Sequence, residues 1–227
     1  MKIDPKNLEL QFINEFLDGL SHISLSQLGE DLFIMRYFAQ KRAGFYVDAG
    51  AFHPRRYSNT YLLRTYMGWT GINIDANPDC IDRFKVEAPG CINLSVALDE
   101  VQRDVEFVVY SGAAHSTIDD DRKKLNNQIP IKRTINLKTQ RIDDILRNHL
   151  PDDRKIDFLS IDVEGRDLPV LRSIDLKKYR PSLICVEDHE FVGAVNRGEQ
   201  SPILKYMRQM GYKFLSHNVV SSFYGGS

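Results

Sequence analysis

Four short apolar runs in this chain each stop on an acid. Phe45-Tyr46-Val47 runs into Asp48 and Gly71-Ile72-Asn73-Ile74 into Asp75, while Phe158-Leu159-Ser160-Ile161 ends at Asp162 and Leu183-Ile184-Cys185-Val186 at Glu187. Carboxylates in this pattern suit three kinds of chemistry. They hold a cationic ligand, they ligate a hard metal ion, or they move a proton from a reacting hydroxyl. Runs this short, bounded by turn residues and separated by helical patterns, read as buried parallel strands. In an open α/β sheet, ligands bind beyond the carboxyl ends of the strands. The four acids are therefore expected around one crevice.

The turn after the first run narrows the ligand. A dinucleotide site needs G-x-G-x-x-G so that a pyrophosphate can approach the backbone. Here Asp48 is followed by Ala49-Gly50-Ala51, with no second and third glycine at that spacing. A carboxylate there repels phosphate and suits a cation, such as the ammonium of a bound amino-acid moiety. The alternative is a helix-capping or turn acid. Asp75, at the end of the second run, stands where an acid accepts hydrogen bonds from ribose hydroxyls; the alternative is a turn carboxylate before Asn77-Pro78. Together the two acids point to a nucleoside that carries a positive amino group. S-adenosylmethionine has both features.

These residues need elements to position them. A helix follows Ser26, a candidate N-cap, with Leu28, Leu32, Met35 and Phe38 on one side. The first strand runs from Gly44 to Asp48, with Gly50 in the turn, and Asn59 to Met67 is the crossover helix, closed by Gly68. Asn77-Pro78 opens a helix to about Glu87. Ile92 to Leu98 reads as a third strand. Residues 99–140 do not fit a βα repeat and read as an insertion near the active face, with strands over Val105–Tyr110 and Ile131–Leu137. Thr139 is expected to cap a helix through Leu150, and Gly165 to turn into a helix near Leu168–Ile174. Ser201-Pro202 opens a last helix through Met210, and Tyr212–Ser216 with Val219–Tyr224 forms a closing antiparallel pair. Before all this, Leu8, Phe12, Phe16, Leu17 and Leu20 mark an amphipathic arm over residues 1–25. It reads as a helix packed on the body, or as a contact that makes a homo-oligomer. Residues 26–227 form the main domain.

Composition bounds the rest. Thirty basic residues balance 31 acidic ones, which gives no electrostatic reason to expect nucleic acid or an anionic membrane as partner. Cys80, Cys91 and Cys185 are odd in number and show no C-x-x-C spacing, which argues for a reducing compartment. No stretch approaches the ~18 consecutive apolar residues of a membrane span. The first residues lack the layout of a signal peptide. The expectation is a soluble, cytoplasmic protein.

Ser26-Gln27-Leu28-Gly29-Glu30-Asp31, Gly44-Phe45-Tyr46-Val47-Asp48-Ala49-Gly50-Ala51-Phe52-His53-Pro54, Ser58-Asn59-Thr60, Gly68-Trp69-Thr70-Gly71-Ile72-Asn73-Ile74-Asp75-Ala76-Asn77-Pro78 and Ile156-Asp157-Phe158-Leu159-Ser160-Ile161-Asp162-Val163-Glu164-Gly165 occur in this order. In these motifs, over roughly residues 26–190, the chain resembles the FkbM family of S-adenosylmethionine-dependent methyltransferases. The resemblance implies a Rossmann-like class I methyltransferase fold: a mostly parallel α/β sheet, here with a C-terminal antiparallel pair and an N-terminal helical arm. It implies methyl transfer to oxygen, on a sugar or glycan-type hydroxyl or another small-molecule acceptor. On that reading Asp48 holds the methionine ammonium, Asp75 the ribose, and the Val96-Ala97 strand end the adenine edge. Gly50 sits in the cofactor turn. Gln27, where the family motif begins, reaches over the cofactor. Ser58 and Thr60 offer hydroxyls to the cofactor carboxylate or merely cap the helix.

Methyl transfer to an alcohol also needs the hydroxyl proton removed or polarised. Glu164 and His189 are the candidate bases, with Asp162 at the reacting end. Asp162, Glu187 and Asp188 are hard oxygen ligands suited to Mg²⁺ or Mn²⁺, and some sugar methyltransferases similar to this family hold a metal at these strand ends. Glu187 and Asp188 converge only if the strand has already ended. The alternative is that these acids cap helices or bind acceptor hydroxyls directly. Tyr110, His115 and Ser116, in the insertion, are candidates to face the acceptor, while Lys123-Lys124 and Lys132-Arg133 read as a solvated face rather than a site for an anionic acceptor. Two rival functions stand beside this one: a nicotinamide-dependent oxidoreductase, disfavoured by the missing glycines, and a non-catalytic binding module that keeps the fold.

Overall fold

The computed structural model describes residues 24–39, 41–111, 114–191 and 201–226. The expected N-terminal arm, and any oligomer contact through it, lies outside the described residues. No described helix is long and apolar enough to cross a membrane.

Seven helices and ten strands alternate along the described chain. The helices are α1 (Glu30–Phe38), α2 (Tyr61–Met67), α3 (Pro78–Glu87), α4 (Asp120–Leu125), α5 (Ile142–His149), α6 (Asp167–Arg172) and α7 (Pro202–Gln209). The strands are β1 (Phe45–Ala49), β2 (Thr70–Asp75), β3 (Ile92–Ser95), β4 (Ala97–Leu98), β5 (Asp104–Tyr110), β6 (Ile131–Gln140), β7 (Phe158–Ile161), β8 (Leu183–Glu187), β9 (Tyr212–Asn218) and β10 (Ser221–Gly226). Strand order in the main sheet is β3-β2-β1-β7-β8-β10-β9. β3, β2, β1, β7 and β8 are parallel, and β10 adds antiparallel to β8 and β9.

The central strands are buried and mostly apolar because both faces are covered. Val47, Ile72, Leu159 and Ile184 pack on one side with α5, α6 and α7. Tyr46, Phe158, Leu183 and Cys185 pack on the other with α1, α2 and Trp69. Helix starts follow local chemistry. Asn77 Oδ1 accepts from Asp79 N at 3.1 Å with Pro78 in the first turn. Ser201 Oγ accepts from Leu204 N at 3.1 Å before Pro202.

Three expected boundaries change. The strand predicted over Ile92–Leu98 divides: Val96 N still bonds to Asp75 O at 3.0 Å, but Ala97 and Leu98 leave β2 and pair with Thr139 and Gln140. β4, β6 and β5 thereby form a second, three-stranded sheet with its own small core of Val105, Phe107, Val109 and Ile118. Thr139 is not a helix cap. It lies inside β6, where its hydroxyl accepts from Arg103 N and donates to Val101 O; the Ser173 hydroxyl instead accepts from Ile142 N at 3.0 Å. Ser26 does not occupy the N-cap of α1 either. Gly29 does, at φ 87°, and Ser26 serves a turn built around Asp31.

Candidate active site

The sheet changes direction between β1 and β7. From β1 the chain crosses to β2 on one side, while β7 and β8 lie on the other. Such a switch leaves a crevice beyond the carboxyl ends of the strands. A pocket opens there. Gly50, Asp75 and Ala97 line one end, and Asp162 and Glu164 the other. Phe52, Tyr57 and Asn59 come from the loop after β1, and Gln27 and Glu30 from the start of α1. Ser116, Thr117 and Ile118 form a wall from the insertion, which is docked by Thr117 Oγ1 donating to Glu164 O at 2.8 Å.

Two strand-end acids behave as the sequence pattern leads one to expect. Asp75 closes β2, with Oδ2 accepting from Phe52 N at 2.9 Å and Oδ1 from Asn77 N at 2.7 Å. These amides anchor both oxygens and leave lone pairs toward the pocket. Burial nonetheless pushes Asp75 up to about 6. Asp162 follows β7 directly, and its backbone fixes the strand ends together. Gly50, at φ 86°, passes so close that a Cβ there would lie 1.7 Å from Asp162 O. This glycine serves a chain-to-chain approach as well as the pocket.

Asp48 is different. It is not a strand tip, because β1 continues to Ala49. Alternation in a strand puts it on the Tyr46 side, toward the start of α2. Its Oδ2 accepts from Thr60 Oγ1 at 2.9 Å. Burial, the largest effect, pushes it up to about 6 against the Thr60 hydrogen bond. Ser58 stays with it, its hydroxyl accepting from Tyr61 N at 3.1 Å at the start of α2. Asp48, Ser58 and Thr60 are thus absent from the pocket lining; they knit the β1–α2 connection.

The other end of the pocket concentrates negative charge. Carboxylate oxygens of Asp162, Asp167 and Glu187 lie within 4.8 Å of one another. Burial and then the Glu187 charge hold Asp162 well above the usual carboxylate range. The same two causes push Asp167 up to about 7, although its oxygens accept from Val163 N and Gly165 N. Glu164, at φ 53°, is also pushed to about 7 by burial and by Glu187, with Arg122 opposing. Arg122, from α4, approaches Glu187 at 3.2 Å and Glu164 at 3.7 Å. His189 Nε2 lies 2.9 Å from Glu187 Oε1, and that hydrogen bond raises its pKa.

The metal set expected from the sequence is corrected at one position. Asp188 turns away from Glu187 and is buried elsewhere, Oδ2 accepting from Ser201 Oγ at 2.6 Å and Oδ1 from Phe191 N at 3.1 Å. Glu187 is the last residue of β8 and Asp188 N bonds to Val220 O, so the two side chains diverge. Asp167 takes the place expected of Asp188. Its only trace in the sequence is an acid two residues beyond the Gly165 turn. Arg122 gave no such trace, since its position depends on how the insertion folds back. Of the three insertion residues expected at the acceptor, Ser116 lines the pocket. Tyr110 is buried outside the lining, and His115 is held by Asn126 donating to its carbonyl. Lys123 and Lys124 pair with Asp120 and Asp121 on an exposed face.

A mostly parallel sheet with antiparallel strands at its C-terminus, and a pocket across its strand ends, is a Rossmann-like methyltransferase fold. Residues 48–214 match the Methyltransferase FkbM domain, and the chain belongs to this methyltransferase family. Comparison with curated proteins and with solved structures finds no match.

Proposed function

We propose that this protein transfers a methyl group from S-adenosylmethionine to a hydroxyl of a sugar or glycan-type acceptor. The observation that supports the reading most is the polarity of the pocket. Its Asp75–Ala97 end offers a tethered carboxylate beside an apolar strand end, which fits a ribose and a base. Its Asp162–Glu164 end offers carboxylates with raised pKa values, which fits a group that takes up a proton.

S-adenosylmethionine, when bound, supplies an electrophilic methyl on a positively charged sulfur. The protein then has three tasks: to align the acceptor oxygen, to exclude water and to accept the hydroxyl proton. Glu164 is the base we assign. A carboxylate pushed to about 7 is half ionised near neutrality and holds a proton better than an ordinary one. As the oxygen–carbon bond forms and the sulfur–carbon bond breaks, the hydroxyl proton passes to a Glu164 oxygen. His189 suits this less. Its pairing with Glu187 raises its pKa, so more of it is already protonated at neutral pH. Thr117, bonded to the Glu164 carbonyl, holds that loop in place.

Asp162, Asp167 and Glu187 also fit a hard divalent cation, Mg²⁺ or Mn²⁺, because their oxygens converge and their negative charges oppose one another. These three residues would hold it, and it would acidify an acceptor hydroxyl.

The test is methyl transfer from labelled S-adenosylmethionine across a panel of sugars and glycans, with and without chelator. Label on an acceptor oxygen is the expected result. Label only on nitrogen or sulfur acceptors would overturn the assignment to oxygen, and activity unchanged by chelator would remove the metal.

A further inference from the structure

Asp48 does not line the pocket and its Oδ2 accepts from Thr60, so a positively charged amino-acid group in the pocket meets other acids first. Among the described residues, the carboxylates lining the crevice are Glu30, Asp75, Asp162 and Glu164. Asp75 is tethered at the β2 end, and Asp162 and Glu164 belong to the acidic group that Arg122 approaches. We infer that Glu30 is the residue that holds the ammonium of the cofactor's amino-acid end, an inference that rests on the proposed use of S-adenosylmethionine.

Glu30 is 3 % exposed and has no ion-pair partner among the described residues. Its Oε2 accepts from Leu28 N at 2.8 Å and its Oε1 from Ser221 Oγ at 3.2 Å. A carboxylate has about four acceptor sites, so two neutral donors leave it incompletely satisfied. Burying a charge without a counter-charge is costly. The neighbouring Asp31 shows the contrast. It is wholly buried but accepts from Ser24 Oγ, Leu25 N, Ser26 N and Ser26 Oγ, and it does not line the pocket. Asp31 is a structural acid with its hydrogen bonds filled; Glu30 is an acid with capacity left, open to the ligand cavity.

Its placement is built from two directions. Gly29 takes a left-handed conformation, and the Asn218 side chain from β9 donates to Leu28 O. These fix the start of α1 across the β10 end of the sheet, where Ser221 and Cys185 also line the pocket. Glu30 thus lies beyond β7 and β8 from Asp75. A ligand with its ribose on Asp75 and its amino-acid end on Glu30 spans the crevice and passes Asp162 and Glu164 between them. A cation supplied by the ligand also explains why no cation among the described residues pairs with Glu30.

The experiment is calorimetric binding of S-adenosylhomocysteine, which keeps the ammonium, and of methylthioadenosine, which lacks the amino-acid group. Wild type and Glu30→Gln are compared. The expected result is a loss of roughly ten- to a hundredfold in affinity for S-adenosylhomocysteine, the range of one charge-assisted hydrogen bond, with methylthioadenosine unchanged. Equal affinity of both proteins for S-adenosylhomocysteine overturns the role of Glu30 while leaving the cofactor reading intact. No binding of either ligand by wild type instead removes the cofactor reading itself. Should Glu30→Gln lose both ligands through misfolding, the deaminated analogue of S-adenosylhomocysteine on wild type decides: a loss of the same size supports the role, and undiminished binding overturns it.

Discussion

The two ends of the pocket treat negative charge in opposite ways. At the β2 end a single carboxylate, Asp75, is tied by two backbone amides. At the β7–β8 end several acids crowd together, and Glu187 raises the pKa of Asp162, Glu164 and Asp167 alike. Among the described residues, Arg122 and His189 are drawn toward this group. One end is preorganised to accept hydrogen bonds. The other stores electrostatic tension that a proton, a metal ion or the guanidinium relieves. On the proposed reading, the first end holds the ligand and the second transforms it.

The largest effect is expected where that tension is used. Glu164→Gln should lower the rate of transfer by ~10²-fold or more, with cofactor affinity retained. In wild type the rate should fall as pH drops below about 7, because Glu164 is then protonated and accepts nothing; the variant should lack that limb. A pH–rate profile checks both.

Next is the contact that joins the two ends. Gly50→Ala would place a Cβ 1.7 Å from Asp162 O, where no rotamer change relieves it. Denaturant unfolding should show a loss of roughly 3 kcal/mol or more, the scale of a severe core clash. A loss below 1 kcal/mol would mean that the strand ends are not locked together.

A pair of substitutions sharpens the charge comparison. Asp167 raises the Glu164 pKa and Arg122 lowers it. Asp167→Asn should therefore move the acidic limb of the pH–rate profile to lower pH, and Arg122→Met to higher pH. Shifts in the same direction would show that the limb does not report Glu164.

The smallest effect concerns Asp48. Its pKa is raised from 3.8 to about 6 by burial, so the folded state binds its proton more tightly than the unfolded state does. Its contribution to stability is therefore lost as pH rises from about 4 to about 6. Asp48→Asn keeps an oxygen to accept from Thr60. It should raise the melting temperature more at pH 8 than at pH 5, where wild-type Asp48 is already largely protonated. Equal shifts at both values would place the carboxylate in a more polar setting.

Much of this was legible in the sequence for one physical reason: strands buried on both faces read as apolar runs, and the runs end where the sheet ends. That logic located β1, β2, β7 and β8, and it placed Asp75 and Asp162 at the pocket. It did not bring Asp48 into the pocket lining, because β1 runs on past the acid and Thr60 donates to one of its oxygens. It did not separate Asp188 from Glu187, because adjacent side chains at the end of β8 leave in different directions. Periodicity carries little information about Arg122 or Asp167. One depends on how residues 99–140 fold over the sheet, the other on a loop turned by Gly165. Glu30 was visible in the Ser26–Asp31 motif, but nothing local distinguishes an acid that faces a pocket from Asp31, which fills its own turn.

The most direct test is titration of the wild-type protein with S-adenosylmethionine by calorimetry, beside Asp75→Asn. Saturable one-to-one binding by wild type, weakened in the variant, is the expected result. No heat of binding by the folded wild type at millimolar S-adenosylmethionine would contradict a methyl-donor site at these strand ends.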